Sequence, residues 1–206
     1  GNGSGSSGKV LGKVVAIGLS HNTASVDVRE KLSVPEPEWN DAAAALVRES
    51  DSILEAAVLS TCNRFEVYLC CDDIFRGTLE ATAFLSKRSG VPLSQLRAVL
   101  FVLPEDEAVW HLLRVSAGLD SLVVGEGQIL SQVRRCFEVS TSDGGSARKI
   151  LSRLLNVAVS AGRRVRSETD IAKGAVSISS AAVELAALKA PPVLNLQLRD
   201  TRVAII

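Results

Sequence analysis

The sequence predicts an α+β fold, and two observations predict it. Over residues 13–103, short β-branched or alternating runs and helical stretches follow the order strand, helix, strand, strand, helix, strand. From Glu105 onward the apolar residues recur only at helical spacing. The first pattern is that of a ferredoxin-like βαββαβ sandwich, and the second adds an all-helical subdomain.

The opening GNGSGSSG is too polar and glycine-rich to pack, so residues 1–12 read as a flexible tail. KVVAIGLS, residues 13–20, is a buried strand closed by His21 and Asn22. In PEPEWNDAAAALVRES, proline near the start, acids in the first turn and a run of alanine favour a helix over 36–49. ILEAAVLS gives a strand over 53–60. FEVYLCC gives another, with Phe65, Val67 and Leu69 alternating against Glu66, Tyr68 and Cys70. Leu79, Ala83 and Phe84 recur at helical spacing in a stretch that ends at Gly90 before Pro92. LRAVLFVLP, residues 96–104, reads as the fourth strand, stopped by Pro104.

Four helical stretches follow, at 105–120, 127–140, 147–170 and 175–190, with TSDGGS at 141–146 as a flexible break. The organisation expected is a subdomain over 13–103, a helical one over 104–190, and a linker with an unpaired strand, RVAII, over 191–206.

Composition limits the functions open to such a chain. With 206 residues, 47 % of them apolar, it can bury a substantial core. Lys and Arg balance Asp and Glu at 23 each, so any nucleic-acid contact must come from a local patch. No apolar run reaches the ~18 residues of a membrane span, and the start lacks a secretory pattern. The absence of methionine fits a processed or excised fragment. Cys62, Cys70, Cys71 and Cys136 show neither C-x-x-C spacing nor a disulfide framework, which favours reduced thiols and, with two histidines, disfavours metal binding.

The chemistry concentrates in Thr61-Cys62-Asn63-Arg64, between two strands. Cys62 is either a small packing residue or a nucleophile activated by nearby positive charge. If 61–64 is extended, Cys62 and Arg64 share a face; in a tight turn they diverge. Arg64 suits a two-pronged grip on a carboxylate, and Asn63 offers both a donor and an acceptor. Cys70 and Cys71 point to opposite faces of a strand and read as packing residues, as does Cys136 on its helix. His21 reads as a turn residue. His111, in an apolar helix, needs a partner and is the better functional candidate. Gln128 and Gln132 share a helix face, and Gly125 and Gly127 flank Glu126 without making a dinucleotide fingerprint. The basic run RRVR at 163–166 is either a solvated face or a phosphate contact.

Four segments, GLSHNTASVDVREKLSV, STCNRFEVY, AGLDSLVVGEGQILSQV and GRRVRSETDIAKGAVSISSAAVELA, closely resemble glutamyl-tRNA reductase, in order and across residues 13–206. The resemblance implies NADPH-dependent reduction of glutamyl-tRNA to glutamate-1-semialdehyde, the entry to five-carbon tetrapyrrole (porphyrin, haem and chlorophyll) biosynthesis. It implies that Cys62 attacks the aminoacyl ester to form a thioester and that His111 is an acid or base. Thr61, Asn63, Arg64, Ser121, Glu126, Gly127, Gln128 and Gln132 would bind the glutamyl group, with Arg64 on its side-chain carboxylate and Glu126 on its ammonium.

In the family, RVAII leads into an NADPH-binding domain and then a dimerisation domain, neither of which is in this sequence. The fragment is therefore expected to be monomeric and limited to thioester formation and esterase-like release. The segments look more like the plant and algal members, which implies a chloroplast stroma location with the transit peptide already absent; a bacterial member would be cytoplasmic. Regulatory proteins are implied partners, and a non-catalytic docking module for one of them is the competing reading.

Overall fold

The computed structural model describes residues 12–173, 177–200 and 202. Strand β1 (Lys13–Ser20) leads through helix α1 (Val26–Leu32) and a 3₁₀ turn at Glu36–Glu38 into α2 (Trp39–Arg48). The hairpin β2 (Ile53–Ser60) and β3 (Arg64–Cys71) follows, then α3 (Ile74–Ser89), α4 (Leu93–Val99) and β4 (Phe101–Pro104). Helices α5 (Asp106–Ala117), α6 (Gln128–Thr141), α7 (Lys149–Glu168) and α8 (Ile178–Leu194) come next, with 3₁₀ turns at Asp170–Ala172 and Leu198–Asp200. The sheet order is β2-β3-β1-β4, antiparallel throughout, which is the arrangement expected from the βαββαβ pattern.

Every residue of β3 is buried, because helices cover both faces of the sheet. Toward α3 it sends Cys71, in a packing so close that a Cβ on Gly77 would overlap the Cys71 sulfur. The opposite face carries Arg64, Glu66, Tyr68 and Cys70; Glu66 meets His111 of α5, and Cys70 lies beside Gly12, itself next to Ile150 of α7. One continuous apolar cluster runs through sheet and helices.

Three polar ties lock the helical part onto the sheet. The buried Glu55 of β2 accepts the backbone N–H groups of Arg148 (2.8 Å), Ile150 (3.1 Å) and Leu151 (2.9 Å), capping α7 from across the fold, since Arg148 offers no cap of its own. The Ala56 N–H donates to the Ser146 carbonyl at 3.1 Å. Asn40 of α2 donates to the Gly144 carbonyl and accepts from the Ser146 N–H, both at 3.2 Å. The segment 141–146, expected as a flexible break, is therefore docked: its polar backbone found acceptors and donors on α2 and β2.

Other differences from the sequence reading have local causes. The run 96–104 is not one strand. After Pro92, LSQLRAV has good helix formers and buries Leu96 as α4, leaving only Phe101–Pro104 to pair with β1. The helix α1 carries no strong start signal, as Ser25 makes no side-chain cap. Helix α8, expected to stop at Ala190, continues past Pro191 and Pro192 to Leu194 and ends where Asn195 enters the left-handed region at φ 52°. Residues 1–11 of the tail expected over 1–12, and residues 203–206 of the expected last strand, lie outside the described residues.

Candidate active site

The turn between β2 and β3 is built by Thr61. Its Oγ1 accepts the N–H groups of Asn63 and Arg64, each at 3.2 Å, and its own N–H donates to the Arg64 carbonyl at 2.8 Å. The turn is tight, so Cys62 and Arg64 diverge: the Cys62 side is exposed, while Arg64 is 2 % exposed. Two outside groups hold the turn. The His21 N–H donates to the Asn63 carbonyl (2.9 Å), and Arg29 Nη1 of α1 donates to the Cys62 carbonyl (2.6 Å).

Cys62 opens into a cavity of about 170 Å³ lined by Thr61, Asn63, Glu126, Gln128, Gln132 and the Ser177–Ser179 start of α8. Six of the ten residues expected at a site, Cys62 among them, thus meet at one cavity. Gly127 stands between Glu126 and Gln128 as the residue before α6. The other three thiols are buried, and burial pushes Cys70 up to about 11 and Cys71 and Cys136 up to about 12.

Arg64 and His111 are not brought to this cavity wall; they meet at Glu66. Arg64 Nη1 donates to Glu66 Oε1 (2.7 Å) and Asp120 Oδ2 (3.3 Å), and Nη2 to the Asp120 carbonyl (2.6 Å). These internal acceptors occupy its guanidinium, because the tight turn directs it under the helices. His111 Nε2 lies 2.9 Å from Glu66 Oε1, and the Tyr68 hydroxyl donates to Glu66 Oε2. Phe101 packs against the imidazole with ring centroids 4.9 Å apart.

Burial alone would raise the Glu66 pKa, but the hydrogen bond from His111 and the Arg64 charge bring it down to about 2. The same enclosure and the Glu66 charge hold Tyr68 well above the ordinary phenol range. Since a carboxylate only accepts, Nε2 of His111 carries the proton and Nδ1 is the nitrogen left to take one.

The loop carrying Glu126 is shaped by glycine and by an arginine. Gly118 (φ 79°) and Gly125 (φ 85°) both turn through the left-handed region, and the Gly125 N–H donates to the Gly118 carbonyl at 3.0 Å. A Cβ on Gly125 would overlap the Ile171 carbonyl oxygen. Arg166 donates to the carbonyls of Gly125 (2.9 Å) and Glu126, so at least this member of the RRVR run is a clamp. Arg164 pairs with Glu168 at 3.0 Å on the surface. Ser121 lies in the same loop, beside Asp120.

Glu66, Asp120, Arg29 and Ser177–Ser179 were not singled out in the sequence, and Arg166 was, but not as a clamp on the loop. For Glu66 a signal existed: it shares a strand face with Arg64, two residues away, on a strand with no polar edge. The others depend on long-range packing.

Residues 17–169 match the family model described as glutamyl-tRNAGlu reductase, N-terminal domain. The chain is 52 % identical over 193 residues to a glutamyl-tRNA reductase of a Cyanothece species, covering 94 % of this chain and 43 % of that protein. It is 51 % identical over 176 residues to the glutamyl-tRNA reductase of Cyanophora paradoxa, covering 85 % and 40 %. Among solved structures, the glutamyl-tRNA reductase from Methanopyrus kandleri matches with a TM-score of 0.66 at 32 % identity, over 85 % of this chain and 40 % of that one. The chain thus spans about two fifths of the length of the relatives it matches.

Proposed function

The chain belongs to the family of glutamyl-tRNA reductase N-terminal domains, and from that premise we propose that it is the part of such an enzyme that takes the glutamyl group from tRNA onto Cys62. The observation that carries this reading is the exposed Cys62 thiol opening on a cavity whose other polar groups suit an amino acid. The amides of Asn63, Gln128 and Gln132 offer donors to a carboxylate, and Glu126 offers an acceptor to an ammonium.

In the proposed step, Cys62 Sγ attacks the aminoacyl carbonyl carbon. A C–S bond forms, the ester C–O bond breaks, and the terminal ribose hydroxyl of the tRNA leaves with the proton the thiol gives up. His111, with Nε2–H committed to Glu66 and off the cavity wall, is the proposed acid or base through Nδ1 and exchanges that proton by way of the bound substrate or water rather than with the thiol directly. Arg64 and Tyr68 act at a distance, by fixing Glu66 as the acceptor that sets the imidazole tautomer.

The whole enzyme's reaction, reduction of the thioester to glutamate-1-semialdehyde, draws its hydride from NADPH. The described residues do not fit that cofactor: Gly125, in the GEG segment, is taken up by the Ile171 carbonyl rather than left open for a pyrophosphate, and it follows a loop, not a strand. We derive no hydride step from this chain. Dimerisation is likewise assigned to parts of the enzyme beyond these residues. The similarity to a cyanobacterial (Cyanothece) and a plastid-bearing (Cyanophora paradoxa) protein is consistent with the chloroplast stroma as the proposed compartment, or the cytoplasm if the chain is bacterial.

The test mixes the chain with glutamyl-tRNA radiolabelled in the glutamyl group, quenches with acid and counts protein-bound label. Label in the unsubstituted chain that is lost in Cys62→Ser is the expected result. No label in either would overturn the assignment.

A further inference from the structure

Cys62 stands on the wall between two cavities. The second, of about 320 Å³, lies between the Thr61–Asn63 turn and α1, where Val26, Arg29, Glu30 and Ser33 line it. Arg29 occupies an unusual position there. Its Nη1 holds the Cys62 carbonyl at 2.6 Å, while its buried Nε finds no acceptor among the described residues. A buried guanidinium nitrogen without an acceptor is costly unless a ligand supplies one.

Acyl transfer at a thiol needs room for two groups, the acyl chain that stays and the alcohol that leaves. The smaller cavity offers amides and one carboxylate, as an amino acid requires. The larger one offers a cation, a carboxylate, a hydroxyl and an apolar side chain, a set that suits a phosphate, ribose hydroxyls and the face of a base.

We propose that this second cavity is the leaving-group subsite, taking the 3′-terminal ribose of the tRNA and its 5′-phosphate, with Arg29 on the phosphate and Glu30 on ribose hydroxyls. The assignment rests on the acyl-transfer reading above. As the C–S bond to Cys62 forms and the ester C–O bond breaks, the departing hydroxyl already lies on the side of the thiol opposite the glutamyl group. Arg29 then links the two partners of the reaction, because one guanidinium touches both the nucleophile's peptide and the leaving group.

The experiment compares Cys62 acylation by glutamyl-tRNA with acylation by the α-trifluoroethyl ester of glutamate, whose alcohol is too small to fill the subsite. Two variants are used. Arg29→Ala removes the cation, and Val26→Trp fills the cavity from an exposed position without touching the Arg29 bond to Cys62. Each should lower the ratio of the tRNA rate to the small-ester rate by about tenfold or more, the size expected for losing a charge-assisted phosphate contact. Adenosine 5′-monophosphate should compete with glutamyl-tRNA in the unsubstituted chain and cease to compete in Val26→Trp. If both rates fall in the same proportion in both variants, or the nucleotide does not compete, the subsite assignment is overturned while the acyl-transfer reading stands. If the unsubstituted chain takes label from neither substrate, the acyl-transfer reading itself falls, and the subsite with it.

Discussion

A carboxylate as enclosed as Glu66 stays ionised only because donors converge on it, and Arg64, Tyr68 and His111 supply three. Glu66→Gln keeps the shape but removes the charge that balances a buried guanidinium, leaving Arg64 with Asp120 alone. It should cost about 3–5 kcal/mol in urea unfolding, the range for breaking one partner of a buried pair. The pH dependence has a defined sign. The folded pKa of about 2 lies below the ordinary 4.5, so the stabilisation is complete above that ordinary value and is lost as pH falls toward 2. The melting-temperature gap between the unsubstituted chain and Glu66→Gln should therefore hold from pH 7 to 5 and close below about 4. A gap that ignores pH would mean that packing, not charge, sets the loss. The thiols give a second residue-scale expectation: iodoacetamide at neutral pH should label Cys62 well before Cys70, Cys71 or Cys136, as read by peptide mass spectrometry. Equal labelling of all four would contradict the burial of the other three.

At the scale of elements, α7 and the loop before α6 depend on single residues far from them in sequence. Glu55→Ala removes the acceptor for three N–H groups of α7's first turn and should cost about 2 kcal/mol, with loss of amide protection confined at first to 148–151. Gly125→Ala meets both a left-handed backbone and the Ile171 carbonyl; it should destabilise by about 1–3 kcal/mol and shift Glu126 out of the cavity, with Cys62 acylation falling alongside. Activity kept at full rate would detach Glu126 from the site. The same elements show why the sequence was readable in part. Strands β1, β2 and β3, the long helices, and the Thr61, Cys62, Asn63, Glu126, Gln128 and Gln132 cluster follow from local periodicity and from motif resemblance. Helix α1 was not legible because its start signal is weak, and α4 because an apolar run divides between helix and strand only once Leu96 has a core to enter. The burial of Arg64 was not legible for a related reason: Glu66 stands two residues away on the same face, but Asp120 lies far off in sequence, and the turn geometry decides which way the guanidinium points.

The boundary at residue 104, clear as a change of sequence texture, should not be a boundary of stability. Strand β3 turns Arg64, Glu66, Tyr68 and Cys70 toward the helices, and beyond the bonds that Arg64 and Tyr68 make to Glu66 the polar partners lie there: His111 on α5 and Asp120 in the loop after it. A sheet deprived of α5–α7 would present a buried salt-bridge partner and a tyrosine to water on one face while Glu55 lost its helix. The cavity would also come apart, because its thiol lies on the β2–β3 turn and its glutamines on α6. The whole chain should accordingly unfold as one unit. Fluorescence of Trp39, buried in α2, measured in Trp110→Phe to remove the exposed second indole, should follow the same urea curve as far-UV circular dichroism, which is dominated by the later helices. A chain ended at Pro104 should lack the dispersed amide spectrum of a packed fold. Two separated transitions, or a well-dispersed spectrum from the shortened chain, would show that the sheet half stands alone. The Cys62 site would then have to be understood as an interface between two independent units rather than as the product of one core.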